Sequence, residues 1–432
     1  MRIPAIFLLA LITTAGAAQP PAAAVATIGQ PLPAWREGYL DLHHINTGRG
    51  NAAFYILPDG TTIVFDAGEL DPTNPRTTSR RNTPERPDTT RRPYAWIAAY
   101  IRMFAPGKAS TGIDYAIISH FHDDHFGSWY SGAPSSADGK FSLTGITGLG
   151  ELIPIHRLLT RDYHYPVDPA VLFRQLTPGN SFARTWDNYL AFVADQQTKG
   201  MRVEYFRAGS RSQIALLHQP AAWPACYVQN VKSNGWIWTG ADSTVKQHFP
   251  PVDPADRKTW PDENPLSNAL VIHYGPFSYY TGGDNPGNVF LGDAPWRDVE
   301  TDIAKAVGEV DIATMDHHGN RDALNENFIR TLRPRVWIEQ VWTADHPGHE
   351  VLIRATSTLL YPGARDLFAT NMMEANQLVI GPLVEQSYKS LQGHILVRVL
   401  PGGSEYYVII LDDSNPESRV KQVFGPYKAK GN

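Results

Sequence analysis

The sequence predicts an α/β fold in which several strands end in histidine or aspartate clusters along one edge of a sheet sandwich. Short apolar runs with strand character recur along the chain, and segments with helical spacing lie between some of them. Polar clusters directly follow these runs at Asp66, His120–His125, Asp284, His317 with His318, and His346. Strand ends that converge on one edge can build a single site from residues that are distant in sequence.

The length and charge of the chain limit the classes of function. Its 432 residues suffice for one large domain or two. The formal net charge of −5 disfavours sequence-independent binding to nucleic acid or to an anionic membrane, so no stable nucleic-acid partner is expected. The single cysteine, Cys226, cannot form an internal disulfide and is expected to be a buried apolar residue.

The first residues have the pattern of a signal peptide. Arg2 precedes the apolar run Ile6–Ile12, and Ala15-Gly16-Ala17 offers a cleavage site. We expect residues 1–18 to be removed on export, residues 19–37 to form a Pro/Ala-rich tether, and the mature protein to be periplasmic or secreted. The run is too short to span a membrane, and a buried first helix is the alternative interpretation.

In the first half of the chain, alternation of apolar residues predicts strands and 3–4 spacing predicts helices. Residues 39–56 alternate around the turn at Thr47–Gly50, and residues 61–65 form a buried strand after the turn at Asp59-Gly60. The further predicted elements are helices at 94–104 and 182–197, a strand at 115–119, and short strands within 203–238. Polar or glycine-rich stretches predict loop insertions at 71–93, 131–150 and 239–266.

The second half continues the pattern of strands that end in polar clusters. A strand pair is predicted at 268–280 with its turn at Gly275-Pro276. The other predicted elements are strands at 309–315 and 335–342, a helix at 325–332, and a hairpin of 394–399 with 405–411. One domain is therefore expected over residues 38–412, followed by a C-terminal tail at 413–432.

The run from Ser119 to His125 carries the most specific chemistry. It places three imidazoles and two carboxylates directly after a strand. His120 and His122 are two residues apart, so they point the same way on extended chain, whereas Asp124 and His125 follow the turn and can face a second ion. Imidazole and carboxylate are the ligands of Zn²⁺, and also of Mn²⁺ or Fe. Two divalent ions, most simply Zn²⁺, are therefore expected rather than isolated surface histidines.

With these clusters in this order, the chain resembles the metallo-β-lactamase superfamily from about Gly38 to about Leu411. It looks most like the hydrolase domain of the DNA-uptake protein ComEC with its exported relatives, and like the phosphorylcholine esterases. The segments that carry this resemblance are His44–Ala52, Leu57–Gly60, Phe65–Gly68, Thr281–Asp284 and Asp316–Gly319. The resemblance implies an αββα sandwich of two mixed β-sheets with outer helices.

The resemblance also implies roles for individual residues. One metal would be held by His120 and His122, the other by Asp124 and His125, with Asp284 as the bridge. His317 or His318 would complete the shell, and we assign ligation to His317. Catalytic roles are assigned to Asp124, which would orient the attacking hydroxide, and to His318 and His346, which would assist the leaving group. Asp66 would orient a ligand histidine without touching metal.

Several histidines depart from the family pattern. Many members carry a further ligand histidine in mid-chain, but His156 and His164 occupy a different setting and are not assigned to the site. His156 is expected to be packed or hydrogen-bonded. His43 and His44 occupy adjacent strand positions, so either one is exposed and the other packed, or they have a role near the site.

These features predict an exported metal-dependent hydrolase that acts on a small or oligomeric phosphodiester. Four arginines after Asp66 could grip phosphate bidentately, or else belong to a solvated surface loop: Arg80, Arg81, Arg91 and Arg92. Trp236, Trp238, Trp260 and Trp296 could line a substrate groove or simply pack. A carboxylic ester, lactone or lactam hydrolase and a non-catalytic binding protein with a relic metal site are the alternatives. The oligomeric state is left open.

Overall fold

The computed structural model describes residues 25–107, 112–168, 181–253, 255–288 and 294–431. Within these ranges the chain forms two mixed β-sheets that pack face to face, with helices on the outer faces. The predicted αββα sandwich is therefore confirmed. The predicted signal peptide, residues 1–18, lies outside the described residues.

Within the described ranges, each sheet has nine strands. The strands in chain order are β1 (Leu40–His44), β2 (Ala52–Ile56), β3 (Thr62–Ala67), β4 (Ile113–Ile117), β5 (Ile155–Thr160), β6 (Arg202–Tyr205), β7 (Cys226–Ser233), β8 (Trp236–Trp238), β9 (Val245–Gln247), β10 (Ala269–Tyr274), β11 (Phe277–Thr281), β12 (Ile312–Thr314), β13 (Val336–Glu339), β14 (Asp366–Ala369), β15 (Tyr388–Ser390), β16 (His394–Val399), β17 (Glu405–Leu411) and β18 (Val420–Lys428). The first sheet has the order β18-β17-β16-β1-β2-β3-β4-β5-β6, and the second has β15-β14-β13-β12-β11-β10-β7-β8-β9.

Both sheets combine a parallel half with an antiparallel half. Strands β3 to β6 are parallel in the first sheet, as are β11 to β15 in the second. The helices are α1 (Pro93–Phe104), α2 (Asp123–Phe126), α3 (Gly145–Leu152), α4 (Ser181–Thr198), α5 (Glu300–Val307), α6 (Glu326–Leu332), α7 (His349–Thr356), α8 (Glu374–Ile380) and α9 (Pro382–Ser387). Because parallel strands end at the same edge of a sheet, their following loops meet there.

Alternating side chains of the central strands fill three apolar layers. In β3, Ile63 and Phe65 pack between the sheets, whereas Val64 packs under the outer helices with Ile97 of α1. All six residues of β3 are buried, as expected for a strand covered on both faces. Cys226 lies in the layer between the sheets, so the prediction of a buried apolar cysteine is confirmed. Of the helices that the structure describes, none has both the length and the apolar character needed to cross a membrane.

The structure contains elements that the sequence pattern did not predict, among them β5, β9, β14, β15, α5, α7, α8 and α9. Three further differences concern the expected tail, the expected tether and one expected loop. The expected tail contains β18, whose Gly425-Pro426 step and exposed edge position break the alternation that marks a strand. Part of the expected tether is held against β18, since the Gly29 amide donates to the Val420 carbonyl at 2.8 Å. The expected loop at 131–150 contains the start of α3, a glycine-rich helix that begins with a capping box.

Candidate metal centre

Strand ends from both sheets meet at one edge of the sandwich. Asp66 lies near the end of β3, and the Ser119–His125 run follows β4. In the second sheet, Asp284 follows β11 and His318 follows β12. The sheets are joined at this edge by Asn268, whose amide donates to the Ser119 carbonyl at 2.8 Å. The convergence expected from the sequence is therefore present.

The first donor group consists of Asp124, His125, Asp284 and His318, all of them buried. Their ligand atoms lie within 4.8 Å of one another. His125 Nε2 is 3.1 Å from Asp284 Oδ1, and His318 Nε2 is 3.2 Å from Asp124 Oδ2. Four converging imidazole and carboxylate groups form a set that can hold one divalent ion.

The second donor group shares Asp284 with the first and adds His120 and His122. His120 Nε2 lies 3.1 Å from His122 Nδ1 and 3.6 Å from Asp284 Oδ2. The two oxygens of Asp284 thus face different sides, with Oδ1 toward His125 and Oδ2 toward His120. This is the arrangement of a carboxylate that can bridge two ions.

The hydrogen bonds of the histidines indicate what fits between them. His318 Nδ1 is 2.9 Å from the Gln340 carbonyl oxygen, which can only accept, so this nitrogen carries the proton. His125 Nδ1 likewise donates to Asp66 at 2.8 Å. In neutral rings the two Nε2 lone pairs would then face each other at 3.2 Å, an unfavourable contact without a proton or cation between them.

A divalent ion satisfies these groups. Two nitrogens bound tetrahedrally to Zn²⁺ at about 2.0–2.1 Å are separated by about 3.3 Å, close to the spacing of the two Nε2 atoms. Asp284 Oδ1 is buried and receives no hydrogen bond within the described chain. Without an ion, burial lowers the pKa of His125, but three surrounding carboxylates outweigh it and raise that pKa well above 6.5. The donors present therefore fit a metal ion.

Asp66 has the geometry expected of a carboxylate that orients a ligand histidine. It is fully buried, and its φ of 63° is unusual for a residue other than glycine. Besides His125, it accepts hydrogen bonds from the Ser119 amide at 2.7 Å, the Ser119 hydroxyl at 2.8 Å and the Asn51 side chain at 3.1 Å. The Ser119 hydroxyl also lies 3.1 Å from His120 Nδ1, so Asp66 influences both donor groups.

His317 and His318 occupy places different from those expected. His318, to which we assigned leaving-group assistance, joins the first donor group. His317 Nε2 lies 3.7 Å from Asp284 Oδ2 and 3.2 Å from Asn264 Nδ2, while its Nδ1 contacts Asp322 at 2.6 Å. The geometry therefore favours His318 over His317 as a direct ligand.

The backbone explains this difference. The backbone has the left-handed conformation at both residues, with φ of 45° at His317 and 53° at His318. The alternation of side chains along an extended chain therefore does not apply to them. This conformation costs about 1–2 kcal/mol for each residue that carries a Cβ. Such strain is typical of functional sites, where surrounding contacts hold it in place.

His346 lies beside the first donor group. Its ring stacks on His318 with centroids 4.8 Å apart and planes 11° apart. Burial, followed by the nearby His318 and His317, lowers the pKa of His346 well below 6.5. A ring that is neutral at physiological pH is not a ready cationic acid, so the role we assigned to His346 finds no support in its environment.

A segment that lies largely in the predicted polar loop 239–266 braces the centre. This bracing segment, Glu263–Asn268, contacts the strand ends that carry the donors. The Glu263 carboxylate accepts from the Phe121 amide at 2.8 Å, and the Ser267 hydroxyl accepts from the Asp284 amide at 3.1 Å. Together with the contacts of Asn264 and Asn268, these bonds position donors from both groups.

Two buried cations hold the bracing segment in place. Lys232 of β7 donates to the carbonyls of Pro265 at 2.6 Å and Ser267 at 2.9 Å, and burial lowers its pKa well below 10.5. Arg161 makes two 2.8 Å hydrogen bonds to Glu263. Lys232 lies in a strand that also carries Gln229, Asn230 and Ser233, so no local sequence pattern indicated this support.

The four arginines for which phosphate binding and a solvated loop were the alternatives have different surroundings. Arg80 is exposed, and Arg91 lies over the Trp96 ring at 4.8 Å. Arg92 bonds to Glu69 at 2.9 Å and to Glu85 at 3.1 Å, so carboxylates already neutralise it. This pairing disfavours a role for Arg92 in binding substrate.

The arginine-rich loop nevertheless borders the centre. The Ala344 amide donates to the Arg81 carbonyl at 2.8 Å, and the Arg81 side chain pairs with Asp345 at 2.5 Å. The Thr83 amide donates to the Trp342 carbonyl at 3.0 Å. These contacts attach the loop to the segment that leads into His346.

The remaining histidines lie outside the donor groups. Both His43 and His44 are buried, so the expectation that one would be exposed is wrong. His43 contacts the Tyr100 hydroxyl at 3.0 Å, and His44 lies 3.3 Å from the side chain of Gln340, the residue whose carbonyl accepts from His318. His156 is exposed on β5, contrary to the expected packed position, and exposed His164 pairs with Asp168 at 3.3 Å.

A groove opens beside His122. Its volume is about 390 Å³, and its lining includes Phe121, His122, Arg161, Phe182, Arg257, Trp260 and Glu263. Of the four tryptophans singled out in the sequence, Trp260 is the one that lines this groove. The guanidinium of Arg257 lies over the Trp260 ring at 5.6 Å, and no carboxylate of the described chain lies within ion-pair distance of it. The groove therefore combines the rings of Phe121, Phe182 and Trp260 with charged groups of both signs, including the carboxylates of Asp262 and Glu263.

No protein-family model matches the chain, and no curated protein matches it. Three solved structures share low similarity. They are a presumed metal-dependent hydrolase from Parabacteroides distasonis (11% identity, 77% of this chain and 94% of that chain covered, TM-score 0.34), a metallo-β-lactamase motif mutant from Cronobacter sakazakii (13%, 67% and 79%, 0.31), and Zn²⁺-bound PqqB from Methylobacterium extorquens (11%, 64% and 72%, 0.26). At these values the fold assignment rests on the chain's own sheets and helices, and the closer resemblance to ComEC and the phosphorylcholine esterases stays a prediction.

Proposed function

We propose that this chain is an exported metal-dependent hydrolase with a dinuclear centre, and that phosphodiesters are its substrates. One observation carries the proposal: the two oxygens of the Asp284 carboxylate face two different groups of imidazoles. A single carboxylate shared in this way is the feature that distinguishes a dinuclear centre from a mononuclear one. Two divalent ions held by these donor groups would supply an activated water nucleophile and stabilise the oxygen that leaves.

The chain's own residues prepare this chemistry. Asp66 and the Gln340 carbonyl hold the protons of His125 and His318 on Nδ1, so both Nε2 atoms are available as ligands. Burial opposes ionisation of Asp124, but His125 and His318 outweigh it and hold the pKa of this carboxyl well below 3.8. Asp124 is therefore an ionised acceptor at neutral pH, able to orient a water molecule by taking its hydrogen bond.

Support for an anionic substrate comes from the groove beside His122. The unpaired Arg257 offers a guanidinium fork for a phosphoryl oxygen, while Arg161 is already neutralised by Glu263. We therefore propose Arg257, in addition to the exposed Arg80, as a phosphate contact, whereas Arg81 already pairs with Asp345.

A carboxylic ester, lactone or lactam is the second candidate class, because the same groove also has apolar walls. Phe121, Phe182 and Trp260 contribute apolar walls that suit an uncharged acyl group. The two classes differ in their need for Arg257. An Arg257→Gln variant should raise KM for a phosphodiester while leaving KM for a neutral ester unchanged.

The decisive experiment measures bound metal by elemental analysis on residues 19–432 and assays the same sample on bis(p-nitrophenyl) phosphate, a p-nitrophenyl ester and a lactam. About two ions per chain and phosphodiester turnover are expected. His120→Ala should lower the metal content towards one ion per chain and abolish turnover, because the four donors of the first group remain, whereas the exposed His164→Ala serves as the matched control. Two ions with turnover of the ester or lactam alone would move the assignment to the second class. No metal and no turnover after reconstitution with Zn²⁺ or Mn²⁺ would leave a binding protein with a relic site.

A further inference from the structure

A second and larger cavity lies away from the metal centre. Its volume is about 990 Å³, and none of its lining residues belongs to either donor group. It is lined by residues 207–212, by Tyr227 and Gln229 of β7, by the β8–β9 hairpin and by His273 of β10. His273 stands at the opposite end of β10 from Asn268, the residue that joins the sheets at the metal edge. The cavity is therefore a separate surface of the molecule.

Two arginines give this cavity its charge. Neither Arg207 nor Arg211 has a carboxylate within ion-pair distance or a side-chain hydrogen bond in the described part of the chain, and Asp242 is the one carboxylate residue of the lining. The protein as a whole is acidic. Two unpaired guanidinium groups on one wall therefore make a local positive site that an anion would neutralise.

The position of Arg211 is set by an aromatic stack. Its Cζ lies 3.3 Å from the centre of the Tyr227 ring, and Tyr227 stacks in turn on His273 with centroids 4.6 Å apart. A guanidinium that lies over a ring keeps its in-plane N–H groups free for hydrogen bonds. Because stacking already restricts the side chain, less conformational entropy is lost when it binds an oxyanion.

Serine hydroxyls complete the wall. Ser210 Oγ accepts from the backbone amides of Ser212 at 3.3 Å and Gln213 at 3.1 Å, so its own proton is free to be donated into the cavity. Ser212 and Ser243 add two further hydroxyls to the lining, and the half-buried Trp238 adds a flat apolar surface. Fork donors, hydroxyls and a ring surface are the groups that recognise a phosphate or sulfate ester.

We propose that this cavity is a second ligand site for a phosphate or sulfate group, held by Arg207 and Arg211 and separate from the metal centre. The group can be a free ion or part of a larger ester. Trp238 distinguishes these sources. An ester that carries a ring gains affinity from contact with the Trp238 side chain, whereas a free ion does not.

The test is a calorimetric titration of the metal-loaded full chain with inorganic phosphate, sulfate and adenosine monophosphate. The double variant Arg207→Gln/Arg211→Gln is compared with Arg157→Gln, which removes an arginine that also lies over a tyrosine ring but outside this cavity. The double variant should lose at least tenfold in affinity for one or more of these ligands, and Arg157→Gln should lose none. Arg211→Lys keeps the charge without the fork, and we expect an intermediate loss.

Measuring kcat tests whether this site is separate from the metal centre. The double variant should keep the kcat of the wild type, because neither arginine lies near the donor groups. Tighter binding of the nucleotide than of inorganic phosphate would identify a ring-bearing ester, and equal binding would identify the free ion. Equal affinities of the wild type and the double variant for all three ligands would overturn the proposal, as would a loss of the same size in Arg157→Gln.

Discussion

Replacing Asp66 by asparagine tests how the candidate centre is organised. The carboxylate accepts hydrogen bonds from Asn51, from the amide and hydroxyl of Ser119, and from His125 Nδ1. Asparagine has the same shape but presents an amino group where one oxygen was. If that group faces His125 Nδ1, the imidazole proton must move to Nε2, which is the nitrogen directed at Asp284 and His318. The ring would then lack the lone pair that binds an ion.

The expected change in metal affinity follows from the contact between Asp66 and the donor His125. Loss of a carboxylate that orients a ligand histidine costs about 10–100-fold in metal affinity, or roughly 1.4–2.8 kcal/mol. Competition with a chromophoric chelator at neutral pH measures this change in the Zn²⁺ dissociation constant. Asp66→Asn should weaken binding by this factor while the metal-free protein still unfolds cooperatively.

Asp114 provides the matched control for this measurement. It also accepts a backbone amide and a hydroxyl, both from Thr62 at 2.9 Å, but it lies near the start of β4 and away from the centre. Asp114→Asn should leave metal affinity within about twofold of the wild type, since it orients no ligand. Unchanged affinity in Asp66→Asn, or an equal loss in Asp114→Asn, would refute the reasoning.

Three further results are expected. Glu263→Gln leaves the buried Arg161 without a counter-charge and should lower the free energy of unfolding by about 3–5 kcal/mol, whereas the exposed Asp262→Asn should change it by less than about 1 kcal/mol. Urea denaturation measures both, and similar losses would contradict the buried pairing. Burial lowers the pKa of His317, but the carboxylates beside it prevail and raise it to about 9, so the stabilisation present below pH 6.5 should fade as pH rises through about 9. The Tm of the metal-free protein should fall over this window, and His317→Gln should flatten the fall. Elemental analysis should find less bound metal in His318→Ala than in His317→Ala, and the reverse order would restore our original assignment.

The parts of the fold with strong local periodicity could be predicted from the sequence. The hairpin of β16 and β17 has the predicted bounds, because all residues of both strands are buried and a Pro-Gly-Gly turn joins the two strands. The order of polar clusters after β3, β4, β11 and β12 could also be predicted, since a cluster next to an apolar run is visible in the sequence alone. In contrast, β18 and α3 were missed because Gly and Pro weaken their local pattern.

The details of the candidate centre depend on contacts that no local pattern encodes. The left-handed backbone at His317 and His318 decides which ring joins the donors, and it is maintained by tertiary packing. The bracing segment lies in a polar stretch that looks like solvent-exposed loop, yet its hydrogen bonds reach β4, β11 and β12. Arg92 is the opposite case. Its guanidinium is suited to phosphate when judged from the sequence, but in the fold it pairs with Glu69 and Glu85.

The short stretch of chain from Trp260 to Glu263 links the groove to the bracing segment. Trp260 forms a wall of the groove, and three residues later Glu263 holds the amide of Phe121 next to His122. Under the proposed function, binding energy gained by a substrate on Trp260 would be available to tighten the hold of Glu263 on the Ser119–His125 run. Substrates that fill the groove poorly should consequently lose turnover rate as well as affinity, because remote contacts contribute to alignment at the reacting atoms.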